Sequence, residues 1–215
     1  MMDDELMRSL LAPRDGDGRF FGVVTGVVTN NRDPDGLHRV KLRLAWLNLD
    51  DESHWARVVA PMAGGGRGAY FLPEVDDEVL VAFEHGSLEH PFVIGALWNG
   101  KDKAHESNGD GKNDNRSIKS RSGHLIRLCD SDGDERIEII DKSGQNRIVI
   151  HSQDNRISIE AQGDIAIKSA TGKVKIDAVG VEINSSTDVK IQAQTTLDAN
   201  ASAQVSIQGA LVKIN

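Results

Sequence analysis

Three short segments of this chain contain residues whose types and spacing could support chemistry. Asp130–Glu135 has the carboxylates of part of a calcium-binding loop, but it lacks the distal bidentate glutamate of a complete loop. Gly64–Gly68 could cradle a phosphate, yet the residues that follow, Ala69–Leu72, indicate a strand and not the helix N-terminus that a cradle needs. Asp76–Glu78 could act as paired carboxylates in acid–base catalysis. Asp and Gly clusters are common turn sequences, so we expect turns at the acidic segments and a loop at a subunit contact at the glycines.

The histidines and the cysteine give no clearer sign of a reactive centre. Cys129 is the only cysteine, so the chain cannot form an internal disulfide or a thiolate cluster. No Ser–His–Asp or Cys–His arrangement can be defended from the order of the residues. We therefore expect no catalytic residue, no cofactor and no metal, and a protein that is not an enzyme. The seven histidines are scattered without ligand spacing, at positions 38, 54, 85, 90, 105, 124 and 151.

The charge and hydropathy of the chain argue against nucleic acid as a partner and against a membrane-spanning helix. The net charge of the 215 residues is -8, which disfavours binding to a phosphate backbone, because such binding depends on clusters of Lys and Arg. The first residues lack the basic and apolar regions of a secretory signal. No apolar stretch reaches the roughly 18 residues of a membrane-spanning helix. We expect no nucleic-acid partner and no helical membrane anchor.

The elements that would position any site are dominated by a repeat in the C-terminal third. Two aliphatic residues separated by one residue recur about every eight residues, with Gly, Asn, Asp, Ser and Gln between the pairs. The period of two within a pair indicates a short strand with one buried face, and the longer period indicates one unit stacked many times. Such a rod without a pocket favours a mechanical role. The pairs are Ile157/Ile159, Ile165/Ile167, Val174/Ile176, Val181/Ile183, Val189/Ile191, Leu197/Ala199, Val205/Ile207 and Val212/Ile214.

The repeats predict a homotrimer. Each repeat buries only two small side chains, and one chain coiled alone would complete few rungs and expose its strand edges. Three intertwined chains would instead bring their aliphatic residues together on a common axis. A single-chain β-helix is the alternative. The expected trimer core consists of Ile157, Ile159, Ile165, Ile167, Val174, Ile176, Val181, Ile183, Val189, Ile191, Val205 and Ile207.

The first half of the chain has a different composition. All nine aromatic residues occur before Gly100, and β-branched runs separated by turn residues predict about five strands, which suits a small barrel of the OB type. The fold class is therefore all-β, with an N-terminal OB-fold barrel followed by a C-terminal triple-stranded, intertwined β-helix needle. Residues 3–11 read as a short amphipathic helix, either a frayed tail or a docking handle. The expected divisions are a handle and linker at 1–19, the barrel at 20–100, a connector at 101–118, neck strands at 119–156 and the needle at 157–215.

Three motifs in this order resemble one family. Trp55–Gly100 resembles the OB-fold segment of VgrG proteins and of phage baseplate assembly protein V. Lys119–Ile150 resembles the neck of the same proteins, and the repeats resemble their triple-stranded β-helix. The resemblance implies a homotrimeric central spike of a contractile injection system, such as a phage tail, an R-type bacteriocin or a type VI secretion machine. It implies synthesis in the bacterial cytoplasm, residence in a baseplate, and transient contact with a target membrane during envelope puncturing.

The resemblance also implies two protein partners. VgrG proteins fuse a hub module before the OB domain, so here we expect a separate hub protein, contacted by Leu6, Met7, Leu10 and Leu11. No His or Cys lies near the last strands to bind a metal at the tip. We therefore expect a PAAR-type cone protein to cap Leu211, Val212, Lys213, Ile214 and Asn215.

Two other functions compete with the spike. An OB-fold binder of oligosaccharide or nucleic acid on a β-helical stalk would need exposed aromatic and basic residues on the barrel. Alternation places most of the aromatic residues Trp46, Trp55, Phe83, Phe92 and Trp98 inward. A β-helical polysaccharide-degrading enzyme would need a groove of acidic, basic and aromatic residues, whereas the repeats carry only short polar groups outward.

Overall fold

The computed structural model describes residues 19–46 and 52–213, and its regular structure is almost entirely β. The chain divides into two units, one ending at Gln162 and the other beginning at Gly163. A 3₁₀ turn spans Glu84–Gly86. The strands are β1 (Val23–Asn30), β2 (Arg39–Arg43), β3 (Ala56–Val58), β4 (Ala63–Gly64), β5 (Arg67–Gly68), β6 (Glu78–Phe83), β7 (Pro91–Ala96), β8 (Asn115–Lys119), β9 (Leu125–Cys129), β10 (Arg136–Ile140), β11 (Arg147–His151) and β12 (Arg156–Glu160).

Five strands of the first unit close into a barrel in the order β1-β2-β3-β7-β6. The β3–β7 pair is parallel and the other four pairs are antiparallel. Closure pairs every barrel strand on both sides and leaves no free edge in the ring. The all-β class and the barrel in the predicted OB region are confirmed.

Alternation along the barrel strands builds the barrel core. Val40 and Leu42 of β2 are fully buried, and the flanking Lys41 and Arg43 point outward. Gly26 of β1 lets the strands approach closely, because a Cβ atom there would lie 2.9 Å from the Leu44 Cδ2 atom. The other buried residues are Phe20, Val24, Val28, Leu44, Ala56, Val79, Val81 and Val93.

Leu42→Ala should destabilise the barrel by about 2–5 kcal/mol, because it leaves a cavity in a fully packed core. Trp46 packs against the core, so its fluorescence during urea unfolding measures the free energy of unfolding. Arg43→Ala, one residue away and exposed, is the control and should change that free energy by less than about 0.5 kcal/mol. Equal effects of the two substitutions would contradict this assignment of the faces of β2.

The remaining long strands form a second sheet in the order β12-β11-β10-β9-β8, with all pairs antiparallel. We call it the neck sheet. Two of its strands cross the expected divisions of the chain: β8 begins inside the region assigned to the connector, and β12 contains Ile157 and Ile159, the first expected pair of the needle. Strand β8 was not expected, since residues 101–118 read as a connector.

The second unit forms no strand within the described residues 163–213, and every residue of this segment is exposed. Its paired aliphatic residues have no ladder partner among the described residues of the chain. The β-helix needle therefore stays a prediction.

One predicted strand is wrong. Ala69–Leu72 is not part of any ladder, and the nearby strands are instead the two-residue β4 and β5, which pair with each other. Gly66 forms the turn between them with φ +67°, a conformation that favours glycine. The hairpin ends where the Ala69 N–H donates to the Met62 carbonyl at 3.0 Å.

Candidate assembly surface

The neck sheet has the reverse of the burial expected for an amphipathic sheet. Successive strand residues point to opposite faces, so Glu138 and Ile139 of β10 lie on opposite sides. The Glu138 side chain is only 12% exposed, whereas Ile139 is 51% exposed. The chain therefore covers the face that carries the charged Arg127 and Glu138 beside the buried Cys129 and Val149, which we call the polar face, and leaves the opposite, aliphatic face open.

The segment between β7 and β8 covers the polar face through a row of alternating charges. The Glu106 carboxylate lies 3.5 Å from the Arg127 guanidinium, which lies 3.7 Å from the Glu138 carboxylate. Glu138 in turn accepts a hydrogen bond from Arg136 at 3.0 Å, and this bond raises the pKa of Arg136. Partly buried, paired charges of this kind hold the segment on one face.

Two rows of aliphatic side chains cross the open face. Each row runs perpendicular to the strands, because its members are directly opposite each other in the register. All nine are between 40% and 66% exposed. Covering one half-exposed aliphatic side chain contributes roughly 1 kcal/mol, so covering this face contributes on the order of 10 kcal/mol per chain. The first row is Ile118, Ile126, Ile139, Ile148 and Ile159, and the second is Leu128, Ile137, Ile150 and Ile157.

The second unit presents another open set of aliphatic side chains. The expected core residues within it are all more than half exposed, from 55% at Val189 and Val205 to 78% at Ile167. The others are Ile165, Val174, Ile176, Val181, Ile183, Ile191 and Ile207. Exposed apolar surface on this scale marks an interaction surface.

The barrel contributes a smaller exposed group beside the β4–β5 hairpin. Met62 is 54%, Tyr70 75% and Phe71 64% exposed. The glycine turn of this hairpin is the loop that the sequence assigns to a subunit contact, and that assignment stays a prediction.

The barrel region matches a known family. Residues 24–98 fit the model of the type VI secretion system/phage-baseplate injector OB domain, and they coincide with strands β1 to β7 of the barrel and hairpin. The chain is also 32% identical over 142 residues to the type VI secretion system spike protein VgrG4b of Pseudomonas aeruginosa, a match that covers 63% of this chain and 17% of that protein. Over this region the chain resembles the VgrG spike proteins.

Two further relatives of this chain are also spike proteins of Pseudomonas aeruginosa. The type VI secretion system spike proteins VgrG1b and VgrG1c are each 26% identical to it over 135 residues, or 60% of this chain. The matches cover 17% and 18% of those proteins. This chain thus spans about a sixth of the length of the curated relatives it matches, and the resemblance seen in its sequence is confirmed.

The structure describes only some of the residues that the sequence assigns to contacts. Leu211, Val212 and Lys213 of the expected tip are exposed. Ile214 and Asn215 lie outside the described residues, as do the four expected hub-contact residues, Leu6, Met7, Leu10 and Leu11.

Sequence reasoning missed the seven neck residues of β8–β11 that complete the open face. Their signal is present in the alternation of Arg136-Ile137-Glu138-Ile139, where every second residue is aliphatic. Alternation identifies two faces but not which one the chain covers, and here the charged face is sheltered.

Fewer of the aromatic side chains of the barrel point into its core than expected. Phe20, Trp46 and Phe83 pack together, with Phe20 and Trp46 rings stacked at 5.0 Å. Trp55 is instead partly exposed, with Arg39 and Lys41 within 6 Å of its ring, and Trp98 is 70% exposed. Phe92 alternates with the buried Pro91 and Val93 of β7 and has Arg57 over its ring. The expectation that most of these five rings point inward is therefore wrong, since Trp55, Phe92 and Trp98 do not.

The cations beside Trp55 are already paired. Arg39 donates to both carboxylate oxygens of Asp33, at 2.8 and 2.6 Å, and this lowers the pKa of Asp33. Arg39 also pairs with Asp35, and Lys41 pairs with Glu52. The neutralised cations make this face a poor site for a phosphate backbone.

The segments with possible chemistry form turns. The Asp134 N–H donates to the Ser131 carbonyl at 2.9 Å, which closes a turn in the calcium-like segment. In residues 19–46 and 52–213, no group of three His, Cys, Asp or Glu side chains could hold a metal ion. No helix in this part of the chain has the length and apolar character that crossing a bilayer demands.

Proposed function

We propose that this chain is the structural spike of a contractile injection system, a homotrimer that punctures the target envelope and joins a baseplate hub to a tip protein. The observation that carries the proposal is the open apolar face of the neck sheet, which continues in sequence into repeats whose aliphatic residues are equally uncovered. Residues 19–46 and 52–213 cover neither surface, and two further copies would supply identical apolar faces. The match of residues 24–98 to the injector OB domain supports a place for this chain in such an injection system.

Three copies suit these surfaces better than a different partner. Nine of the ten positions in the two rows of the neck face are aliphatic, and the tenth, Arg116 at the end of the second row, is paired with Asp130. Three copies of this face can therefore meet around an axis through aliphatic side chains. Covering it offsets the roughly 4–15 kcal/mol that association costs. A non-enzymatic role is part of this proposal, and it is supported by the exposed aliphatic surfaces of the neck sheet and the repeats.

The hub and the tip protein are the partners proposed for the two ends. The expected hub contacts are Leu6, Met7, Leu10 and Leu11, and the expected cap contacts are the residues from Leu211 to Asn215. The chain would be made in the bacterial cytoplasm and reside in the baseplate, with no cofactor.

Sedimentation equilibrium of the full chain tests the assembly. The chain has a mass of 23.4 kDa, so a trimer has three times that mass, about 70 kDa.

A gene deletion tests the puncturing role. Deleting the coding sequence in the producing strain should abolish dye entry into target cells, and the intact chain should restore it. A folded monomer at micromolar concentration, or undiminished dye entry after the deletion, would overturn the proposal.

A further inference from the structure

The charged residues of the second unit follow a regular pattern of their own, in addition to the repeat of aliphatic pairs. Residues 163–213 contain five lysines and five carboxylates, so the net charge is zero. In the described part of the chain none of these ten side chains forms an ion pair. They are Asp164, Lys168, Lys173, Lys175, Asp177, Glu182, Asp188, Lys190, Asp198 and Lys213.

In the predicted strands of the second unit, all ten charges would occupy the face opposite the paired aliphatic residues. In each repeat this face consists of the residue before the pair, the residue between the two aliphatics and the residue after them, because strand residues alternate between faces. We name these the leading, central and trailing columns of the stacked repeats. The central column reads Ala166, Lys175, Glu182, Lys190, Asp198, Ser206 and Lys213.

Within every column, charges in consecutive repeats have opposite signs. The central column alternates from Lys175 to Asp198 without a break. The leading column places Asp164 beside Lys173, and the trailing column places Lys168 beside Asp177. All five pairs of charged neighbours in consecutive repeats are therefore complementary, and no such pair has like signs.

The neck sheet shows that this chain pairs charges across strands where both strands belong to it. Arg147 and Glu160 are directly opposite in the β11–β12 register, and their side chains form an ion pair at 2.7 Å. Arg127 and Glu138 are likewise opposite in β9 and β10 and lie 3.7 Å apart. Opposite charges facing each other across strands stabilise the pairing, and like charges destabilise it.

We propose that the alternating charges of the second unit form a ladder that fixes the register in which three copies of this segment stack. This inference rests on the proposed trimer, in which consecutive repeats of different copies lie side by side. The partner surface is the same charged face of another copy, and the recognition is charge complementarity. Repeats of nearly identical apolar content need such a device, because their aliphatic pairs fit equally well after a shift by one repeat.

A shift by one repeat reverses the charge pairing. Lys175 would then face Lys190 or the Lys175 of another copy, and Glu182 would face Asp198 or another Glu182. In the central column from Lys175 to Asp198 the complementary neighbours would become like-charge neighbours, while most repeats would still bring a Val–Ile pair onto the axis. The ladder therefore discriminates against the shifted stack without contributing much to the strength of the correct one.

The test compares three variants of the full chain. Glu182→Lys places three lysines in a row in the central column. Asp188→Lys makes the same change of charge in the leading column, where the neighbours Gly180 and Thr196 are uncharged, and serves as the control. The inverted ladder combines Lys175→Glu, Glu182→Lys, Lys190→Glu and Asp198→Lys and restores alternation with all signs reversed.

The yield of trimer after refolding from denaturant, measured by light scattering, should separate the variants. Glu182→Lys should lower the yield of trimer at least about three-fold at low salt. The yield should return to that of the unmodified chain in 1 M salt, where the charges are screened. The control and the inverted ladder should refold like the unmodified chain.

Co-refolding gives the decisive readout. The unmodified chain and the inverted ladder should sort into separate homotrimers in native mass spectrometry, because a mixed stack places like charges beside each other. The unmodified chain and Asp188→Lys should mix statistically. Free mixing of the inverted ladder, in a protein that is otherwise a trimer, would overturn the ladder alone. An unmodified chain that stays monomeric would overturn the proposed trimer and the ladder with it.

Discussion

Ile191→Asp should abolish the trimer, whereas Gln192→Asp should leave it intact. Ile191 is 65% exposed in the single chain, and on the proposed axis three copies of the substituted carboxylate would meet without cations or water. Burying an unpaired charge costs several kcal/mol per ion, more than the aliphatic contact at one repeat contributes. Gln192 belongs to the opposite face, where a carboxylate stays in solvent.

Sedimentation equilibrium at several concentrations measures this difference directly. The Gln192→Asp chain should sediment at about 70 kDa, three times 23.4 kDa, and the Ile191→Asp chain at the mass of a monomer or as a heterogeneous aggregate. Barrel unfolding followed by Trp46 fluorescence should be alike in both, because residues 163–213 form a separate unit. Two variants that assemble equally well would place the subunit contacts on another surface.

Ile139→Asp should have a comparable effect through the neck sheet. Ile139 is the middle member of the five-isoleucine row, so a carboxylate there would lie at the centre of the proposed contact between copies. Desolvating it costs several kcal/mol per chain, and three chains incur that cost together. The open face should also bind a fluorescent hydrophobic dye once the copies no longer cover it.

The matched substitution is Gln145→Asp in the exposed turn between β10 and β11. It adds the same charge six residues away and should leave both the mass and the dye binding unchanged. If Ile139→Asp remained a trimer with no added dye binding, the apolar face of the neck sheet would not be the contact between copies.

The barrel could be predicted from the sequence because its two faces differ in chemistry. Val40 and Leu42 alternate with Lys41 and Arg43, and the chain itself provides the core that the apolar residues fill. Ala69–Leu72 was mistaken for a strand because residue type predicts extended backbone but not the presence of a ladder partner. Trp55 was assigned inward for a similar reason: it lies just before β3, outside the alternation of that strand.

The neck and the repeats could be predicted only in part. The repeats indicate a period and an apolar face for the second unit, but the described residues of the chain contain no partner for the strands that they predict. In the neck, Ile137 and Ile139 were passed over because Arg136 and Glu138 made β10 read as a charged strand. The ion pairs with the segment after β7, formed by residues far apart in sequence, decide which face is sheltered.

The closed barrel and the open neck sheet imply that one chain folds in two kinetic regimes. The barrel satisfies all its strands internally, so it can form at a rate that does not depend on how many copies are present. In the proposed trimer the neck face and the repeats are completed by collision with other copies, so the rate of assembly would rise steeply with local concentration. Chains synthesised from one messenger by neighbouring ribosomes meet this requirement best. Dilute chains, in contrast, would have a folded barrel but an unassembled neck and repeats, and proteases would remove them.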